Sequence, residues 1–415
     1  MRQSQLFTKT RKEAPKDEVS KNAILLIRAG FINKEMAGVY SFLPLGLRVL
    51  NKINAIVRDE MNAIGGVEFF LTSLQDKAVW EKSGRWDDKV VDNWFKTKLK
   101  NGTDLGLAFT HEEPLTQLMK EHIRSWRDLP RYPYQIQTKF RNEARAKSGI
   151  MRTREFLMKD LYSFSENEKE HEVFYGKAKD AYKKIFERAG VGESTHLTYA
   201  SGGTFSKFSH EFQTVTLAGE DDIYVCGKCG VAVNEEVVAD FNSSCPECKN
   251  KDLKKEKAVE VGNIFPLGYK YSETLGLSFI DAEGEKKSVF MGSYGIGPAR
   301  LMGAVVEVLS DDKGLVWPSA ISPFAHHLIP IFDKEEKALN YADKLYENLL
   351  DKGVEVLYDD RDMRAGEKFG DADLMGIASQ IVVSEKTIAE DSVEVKDRKT
   401  GKVEKIKLKE FLSQV

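Results

Sequence analysis

Apolar positions recur at helical spacing over residues 45–61, where Leu47, Leu50, Ile53, Ile56 and Val57 share one stripe, and a β-like run over 67–71 follows. This predicts a long helix leading into a strand. Two further β-like runs, 134–140 and 155–158, flank a polar turn, and an amphipathic stretch over 171–189 ends at Gly190, a residue suited to stop a helix. Strands are expected over 259–268 and 287–291. The glycine-rich segment 292–297 then reads as a turn into a helix starting at Pro298, where a missing N–H costs nothing. Beyond Pro323 the pattern becomes strand (327–331), helix (335–350), strand (354–358), a Gly- and charge-rich loop, helix, and strand (380–383). Such alternation predicts a compact α/β domain.

With 415 residues the chain has apolar side chains for more than one core, and it shows no internal repeat or low-complexity segment. Its formal charge of -3 excludes no class of partner, because phosphate binding depends on local field rather than on the total. Lys139, Arg141, Arg145, Lys147, Arg152, Arg154 and Lys159 form one basic concentration. Lys396, Arg398, Lys399, Lys402, Lys405, Lys407 and Lys409 form a second, which interleaves with acids and reads as a solvated face. The N-terminus lacks the apolar core of a signal peptide, and no apolar run approaches the ~20 residues needed to span a bilayer. A cytoplasmic protein with no membrane partner is expected.

All four cysteines fall in one window, as Cys226-Gly-Lys-Cys229 and Cys245-Pro-Glu-Cys248. Two CxxC turns bring four thiolates around one ion, so a structural Zn²⁺ site with no open coordination position is expected; redox or unmetallated thiols are the alternatives. The surrounding segment, 223–258, is rich in Lys and Glu and reads as a small insert sitting apart from the main core.

The segment 138–156 carries the candidate chemistry. Arg141 and Glu143 are read as leaving one face of a strand, and Arg152 and Phe156 one face of the next. A guanidinium fork matches phosphate or carboxylate oxygens, a glutamate accepts from an exocyclic amine, and a phenyl ring stacks on a base. Together they describe an ATP cradle without a P-loop; the alternative is a hairpin with a solvated charged turn. The glycines at 292–297 are not a dinucleotide fingerprint, since Arg300 stands where the third glycine belongs and no early βαβ unit precedes it. They instead let the backbone approach a ligand, with the helix start carrying Arg300 toward it.

At this point nearly the whole chain resembles the prolyl-tRNA synthetases of bacterial type, within the class II aminoacyl-tRNA synthetases. The resemblance runs through Met1-Arg-Gln-Ser-Gln-Leu-Phe7, Arg28-Ala-Gly-Phe31, Leu43-Pro-Leu-Gly46 and Ser83-Gly-Arg-Trp86. Phe140-Arg-Asn-Glu143 with residues 152–164 matches class II motif 2, and residues 292–300 match motif 3. The resemblance implies activation of L-proline with ATP and Mg²⁺ to prolyl-adenylate, transfer to tRNA(Pro), and a homodimer. It places Arg141 across the proline carboxylate and α-phosphate and Arg152 on the distal phosphate. Phe156 and Arg300 would sandwich the adenine, with Glu143 at its edge. Thr110 and Glu112 would bind the imino group, although Thr-x-Glu is also an ordinary helix N-cap box. His210 is a candidate wall of the proline pocket or a structural histidine. Arg145 is a candidate for the tRNA acceptor stem or an exposed loop charge. The loop 359–364 could read the anticodon or form a surface ion-pair network.

Three departures from the family pattern stand out. The proline of the motif 1 strand is replaced, with Thr72 and Ser73 at the matching place; a cysteine frequent in motif 3 is Ser293; and only the cysteine insert stands between motifs 2 and 3, leaving no room for an editing domain. The expected architecture is α+β. A class II antiparallel sheet with flanking helices is built from residues 1–222 and 259–322, interrupted by a four-cysteine zinc ribbon at 223–258 and followed by an anticodon-binding α/β domain at 323–415. Two other readings share the ATP residues: a non-catalytic class II paralogue that binds tRNA or amino acid, and a class II synthetase for another amino acid. Retention of Arg141, Glu143 and Arg300 weighs against the first, and the N-terminal segment with Thr110, Glu112, Ser209 and His210 points to proline.

Overall fold

The computed structural model describes residues 1–203, 206–331 and 337–415, and the chain divides into two compact units. Among the described residues the larger unit, Met36–Val39 and Asn54–Ala304, is built on a nine-stranded sheet. Its strands are β1 (Val67–Glu68), β2 (Pro133–Phe140), β3 (Glu155–Ser165), β4 (Thr195–Ser201), β5 (Phe208–Val215), β6 (Asp221–Cys226), β7 (Ala232–Asn234), β8 (Leu253–Gly268) and β9 (Phe290–Ile296). They lie in the order β5-β4-β7-β6-β8-β9-β3-β2-β1, antiparallel except for β1 on β2 and β4 on β7.

β8 is long enough to pair three times. Its first half pairs with β6, and its second half with β5 and with β9. The pairings β8-β5-β4-β7-β6 therefore close a ring, with Ile223, Ala232 and Ala258 fully buried inside it. The cysteine-bearing segment is thus not an insert apart from the core; its strands continue the main sheet. The short Ile-x-Val alternation at 223–225, between acidic residues and a cysteine, was too brief a signal to show this.

Alternation along β3 assigns the two faces of the sheet. Lys159, Leu161 and Ser163 face the helix Glu168–Arg188, whose Phe174, Ala178, Tyr182 and Ile185 are buried. Phe156, Met158, Asp160 and Tyr162 face the other way, together with Asn263, Phe265 and Leu267 of β8 and Ser293 and Gly295 of β9; the register sets Gly295 opposite both Asp160 and Asn263. The lower part of this second face is filled by Leu115 and Met119 of the helix Glu112–Met119 and by Tyr271, Leu277 and Phe279. The upper part remains open.

Segment 292–297 differs from expectation, since β9 runs through it as strand rather than turn. Its glycines serve close packing: a Cβ on Gly292 would come within 2.4 Å of His171 Cε1, and one on Gly295 within 2.9 Å of Asn263 Oδ1. The helix Pro298–Leu309 then starts at the proline as predicted, and the helix Pro44–Ala63 brackets the predicted periodic stretch. The run expected over 67–71 pairs only at Val67 and Glu68. Beyond it, Gln135 and Gln137 hold the backbone of Leu71 by side-chain hydrogen bonds.

The smaller unit comprises Met1–Glu35, Tyr40–Ile53 and Val305–Val415. A five-stranded sheet orders β10 (His326–Pro330), β11 (Val356–Tyr358), β12 (Ser379–Val383), β13 (Ser392–Asp397) and β14 (Val403–Lys407) as β11-β10-β12-β13-β14, the first three parallel and the rest antiparallel. The helix predicted over 335–350 is described from Lys337 to Asp351; Glu335 lies outside the described residues. The N-terminal residues dock on this sheet, with Arg2 paired to Asp343 and Gln3 hydrogen-bonded to His327. In the loop 359–364, Arg361 pairs with Asp359 and Asp371. Arg398, expected on a solvated face, is instead buried and forks onto both oxygens of Asp311 at 2.8 Å.

Candidate active site

The open upper face of the larger unit's sheet forms a cavity of about 230 Å³. Thr110, Glu112, Arg141, Glu143, Arg152, Phe156 and Arg300 all line it, so seven of the sequence-derived site residues converge. Arg141, Glu143 and Arg152 lie in the loop joining β2 to β3 rather than on the strands, as first read. The backbone N–H of Arg141 donates to Arg154 O, and Arg154 donates to the carbonyls of Glu143 and Ala37. The loop is thereby folded back so that Arg152 and Glu143 meet.

The arginines differ in what they hold. Arg152 donates from Nε and Nη2 to Glu143 Oε2 (3.1 and 2.9 Å) and from Nη1 to Glu220 Oε2 (2.7 Å). Arg300, in the first turn of the helix that begins at Pro298, donates to Met151 O and to Glu260 through both its carbonyl and its carboxylate. Arg141 makes no ion pair among the described residues, and its buried Nε has no hydrogen-bond partner. Its guanidinium sits 5.0 and 5.4 Å from the Phe109 and Phe156 ring centroids. Burial first and Arg300 second lower its pKa. A guanidinium stays charged in proteins, so the cavity carries a cation without a paired carboxylate among the described residues.

Opposite charge lies close by. The N-cap residue of the helix Glu112–Met119 is His111, so Thr110-x-Glu112 is not a capping box. The Thr110 hydroxyl donates to Glu112 Oε2, and the Ser293 hydroxyl reaches Glu112 Oε1 at 3.4 Å. Arg85 donates to both oxygens of the fully buried Glu113 at 3.0 and 3.1 Å and stands 3.7 Å from Glu112. Burial pushes Glu113 up to about 6 against the pull of Arg85.

Beneath the cavity runs a buried polar chain that sequence reasoning missed. His111 Nε2 faces Thr72 O at 3.1 Å, which fixes that nitrogen as the donor, and Nδ1 then accepts from Lys139 Nζ at 2.6 Å. Lys139 lies 2.8 Å from Asp160 Oδ1, while Asp160 Oδ2 accepts from Gln135 and Tyr162. Thr72, one of the departures in motif 1, thus contributes through its backbone. Lys139 and Lys159 belong to the basic concentration read from the sequence, yet both are fully buried; Lys159 donates to Tyr182 OH and Tyr294 O on the helix-covered face.

Residues 95–309 match the tRNA synthetase class II core domain (G, H, P, S and T), and residues 326–415 match an anticodon binding domain. The proline–tRNA ligase of Wolbachia sp. subsp. Brugia malayi is 38% identical, aligned over 100% of this chain and 99% of that protein. That of Thermodesulfovibrio yellowstonii is 32% identical, again over 100% and 99%, in an alignment that extends to 567 positions. The chain belongs to the proline–tRNA ligase family. Its fold matches that of a Cryptosporidium parvum prolyl-tRNA synthetase complexed with halofuginone and AMPPNP (TM-score 0.78, 18% identity, 94% of this chain and 75% of that one). It also matches a Giardia lamblia prolyl-tRNA synthetase in complex with prolyl-adenylate (TM-score 0.77, 18% identity, 94% and 74%).

In this member of the family, two sequence-derived candidates lie off the cavity. His210, on β5, is held by Tyr175 OH at 2.9 Å and by an edge contact with the Tyr199 ring, and it is absent from the cavity lining. Burial, helped by Lys179, lowers its pKa to about 3. Arg145 is exposed in the loop after Glu143, outside the main cavity.

Cys226, Cys229, Cys245 and Cys248 gather at the far end of β6 and β8, with all four sulfurs within 4.8 Å of one another. Contacts of 3.5 and 3.6 Å lie close to the ~3.8 Å edge of a tetrahedron of four thiolates about zinc and are far too long for a disulfide. The two turns are built alike. In each, the residue after the second cysteine, Gly230 or Lys249, adopts positive φ and donates its N–H to the carbonyl of the first cysteine. Asn250 donates to Cys226 Sγ, as suits a thiolate. The donor set therefore fits a closed tetrahedral metal site.

Proposed function

We propose that this chain activates L-proline with ATP to prolyl-adenylate and transfers the prolyl group to the 3′ end of tRNA(Pro). The observation that carries the reading is the unpaired Arg141 guanidinium within one cavity with the Thr110–Glu112 pair. The proline carboxylate attacks the α-phosphorus, a new C–O–P link forms, and the bond to pyrophosphate breaks. The carboxylate is already ionised, so no general base is required; positioning and charge neutralisation supply the rate.

Arg141 is assigned to the carboxylate and α-phosphate, where its orphan Nε and lowered proton affinity find a partner. Glu112, steadied by Thr110 and Ser293, takes the secondary ammonium. Phe156 and Arg300 bracket the adenine, and Glu143 has Oε1 left over for the exocyclic amine because Arg152 uses Oε2. Arg152 meets the distal phosphate. Mg²⁺ carried in with ATP would neutralise the triphosphate, and the carboxylates of Asp221 and Glu260, which border the lobe beside Arg152, are the residues that would hold it. The exposed Arg145 is assigned to the tRNA acceptor stem, and residues 326–415 to the anticodon.

Zn²⁺ held by the four cysteines would brace the ring of strands, with no open position for chemistry. A homodimer through the edge of the sheet is supported by Val67, Phe70 and Leu74, which are 67%, 73% and 55% exposed. No helix among the described residues is long and apolar enough to cross a membrane, and we assign the protein to the cytoplasm, with its substrate tRNA.

The test is amino-acid-dependent ATP–pyrophosphate exchange with Mg²⁺ across proline, alanine, cysteine, threonine and histidine. Strong exchange with proline is expected, falling by about two to three orders of magnitude in Arg141→Ala. Exchange with none of the five, from folded protein, would overturn the reading in favour of a non-catalytic paralogue.

A further inference from the structure

We propose that Glu220 is a positioning residue for ATP: it sets the orientation of Arg152 and ties the loop 141–154 to the cysteine-bearing hairpin. The inference rests on the assignment of Arg152 to the distal phosphate.

A guanidinium has five N–H groups. Arg152 spends two, on Nε and Nη2, on Glu143 Oε2, and a third, on Nη1, on Glu220 Oε2. One N–H remains on each terminal nitrogen, which is the fork that a phosphate takes. The two carboxylates thus leave two of the five N–H groups, one on each terminal nitrogen, for a phosphate. Glu143 alone would fix one edge and leave the side chain free to swing about it, whereas the bond from Glu220 fixes the plane. Both carboxylates line the same lobe of the cavity as Arg152.

The second oxygen of Glu220 works on the same loop at another point. Oε1 accepts from Ser148 Oγ at 3.3 Å and stands 3.6 Å from Lys147 Nζ. Ser148 and Gly149 are successive residues with positive φ, at 65° and 62°, and form a sharp corner that needs an external hold. Glu220 itself cannot wander. It immediately precedes β6, which is zipped to β8 from Asp221 opposite Ala258 to Cys226 opposite Leu253. One short carboxylate therefore links the corner of the loop, its phosphate-facing arginine and a ladder pinned at its far end by four cysteines.

The experiment is steady-state ATP–pyrophosphate exchange with saturating proline on wild type, Glu220→Gln, Glu220→Asp, Arg152→Ala and the Glu220→Gln/Arg152→Ala double variant. Glu220→Gln, which keeps the shape and removes the charge, is expected to raise the ATP KM roughly tenfold, with kcat and the proline KM within about twofold. Glu220→Asp should recover part of the loss, and the double variant should be no worse than Arg152→Ala alone, because the two residues act as one unit. An ATP KM unchanged or lowered in Glu220→Gln while Arg152→Ala raises it would overturn the inference, as would additive losses in the double variant. An unchanged ATP KM in Arg152→Ala would instead overturn the assignment of Arg152, and the inference with it.

Discussion

Lys139 Nζ lies 2.8 Å from Asp160 Oδ1 at a depth where the lysine is wholly and the aspartate almost wholly out of solvent. Asp160 borders the cavity and Lys139 lies behind it, in contact with His111, the cap of the helix that begins with Glu112. The ion pair is thus a fixed foundation under the cavity and the helix that carries Glu112.

Removing one partner of such a pair strands the other. Lys139→Met is expected to destabilise the larger unit by about 3–5 kcal/mol, read as a fall in its thermal or urea midpoint. Lys139→Met/Asp160→Leu should regain part of that loss while remaining inactive. A double variant less stable than the single would contradict the account.

Acid should unfold the protein earlier than its carboxylates alone would. His111, His171, His326 and His327 are lowered by burial to about 4, and His210 to about 3. The unfolded chain takes up these protons below about 6.5 and the folded chain does not, so stability falls as pH drops from there toward 4, by about 1.4 kcal/mol per pH unit for each histidine. Glu113, raised by burial to about 6, and Glu211, raised by burial and then by Glu260 to about 8, act in the opposite sense as pH falls through those values toward 4.5, and burial raises Asp221 and Glu166 in the same direction; the five histidines outweigh them below 6.5. Melting temperatures at pH 7.5, 6 and 5 should descend; a flat profile would refute the buried neutral histidines.

Metal analysis of protein purified without chelator should give one Zn²⁺ per chain. Its removal, or Cys245→Ser, should lower the melting temperature of the larger unit and, in the stripped wild type, expose four titratable thiols. Unchanged melting after complete stripping would show that the cysteines do not brace the ring.

Alanine should support a weaker exchange signal than proline. The loss of ring methylenes is worth only about 1–3 kcal/mol in discrimination, and between motifs 2 and 3 the described residues form the helix Glu168–Arg188, strands of the sheet and the cysteine turns; we propose that this chain has no editing site of its own. Ala-tRNA(Pro) should therefore form and persist. Its rapid deacylation by the purified protein would sink the proposal.

The convergence of Arg141, Glu143, Arg152, Phe156 and Arg300 was legible because Phe156 and Arg300 stand at a strand start and a helix start, and the loop that carries the other three is bracketed by two readable strands. Pro298 announced its helix for the same reason. Lys139 and Lys159 were not legible: composition groups them with exposed neighbours, and only the register of β2 and β3 turns them inward. Periodicity was equally silent about Glu220, just before β6, and Glu260, within β8, since a carboxylate in either place looks solvated until the arginine it holds is brought from far along the chain. His210 stayed open between pocket wall and structural histidine, because a position in β5 does not reveal which side of the sheet its ring takes. The glycines of β9 were misread as a turn because their cause, the crowding by His171 and Asn263, is tertiary.

The two adjacent acids at the start of the cavity's helix share a single guanidinium. Arg85 is committed to Glu113, which leaves Glu112 with charge to spare, while Arg141 across the cavity has none of its own answered. The cavity therefore presents a separated plus and minus, and both are answered at once only by a molecule that carries both signs at the complementary spacing. A zwitterion meets that condition. Its binding should respond little to ionic strength, because no net charge is transferred, whereas prolinol or N-acetylproline would each leave one buried charge unanswered.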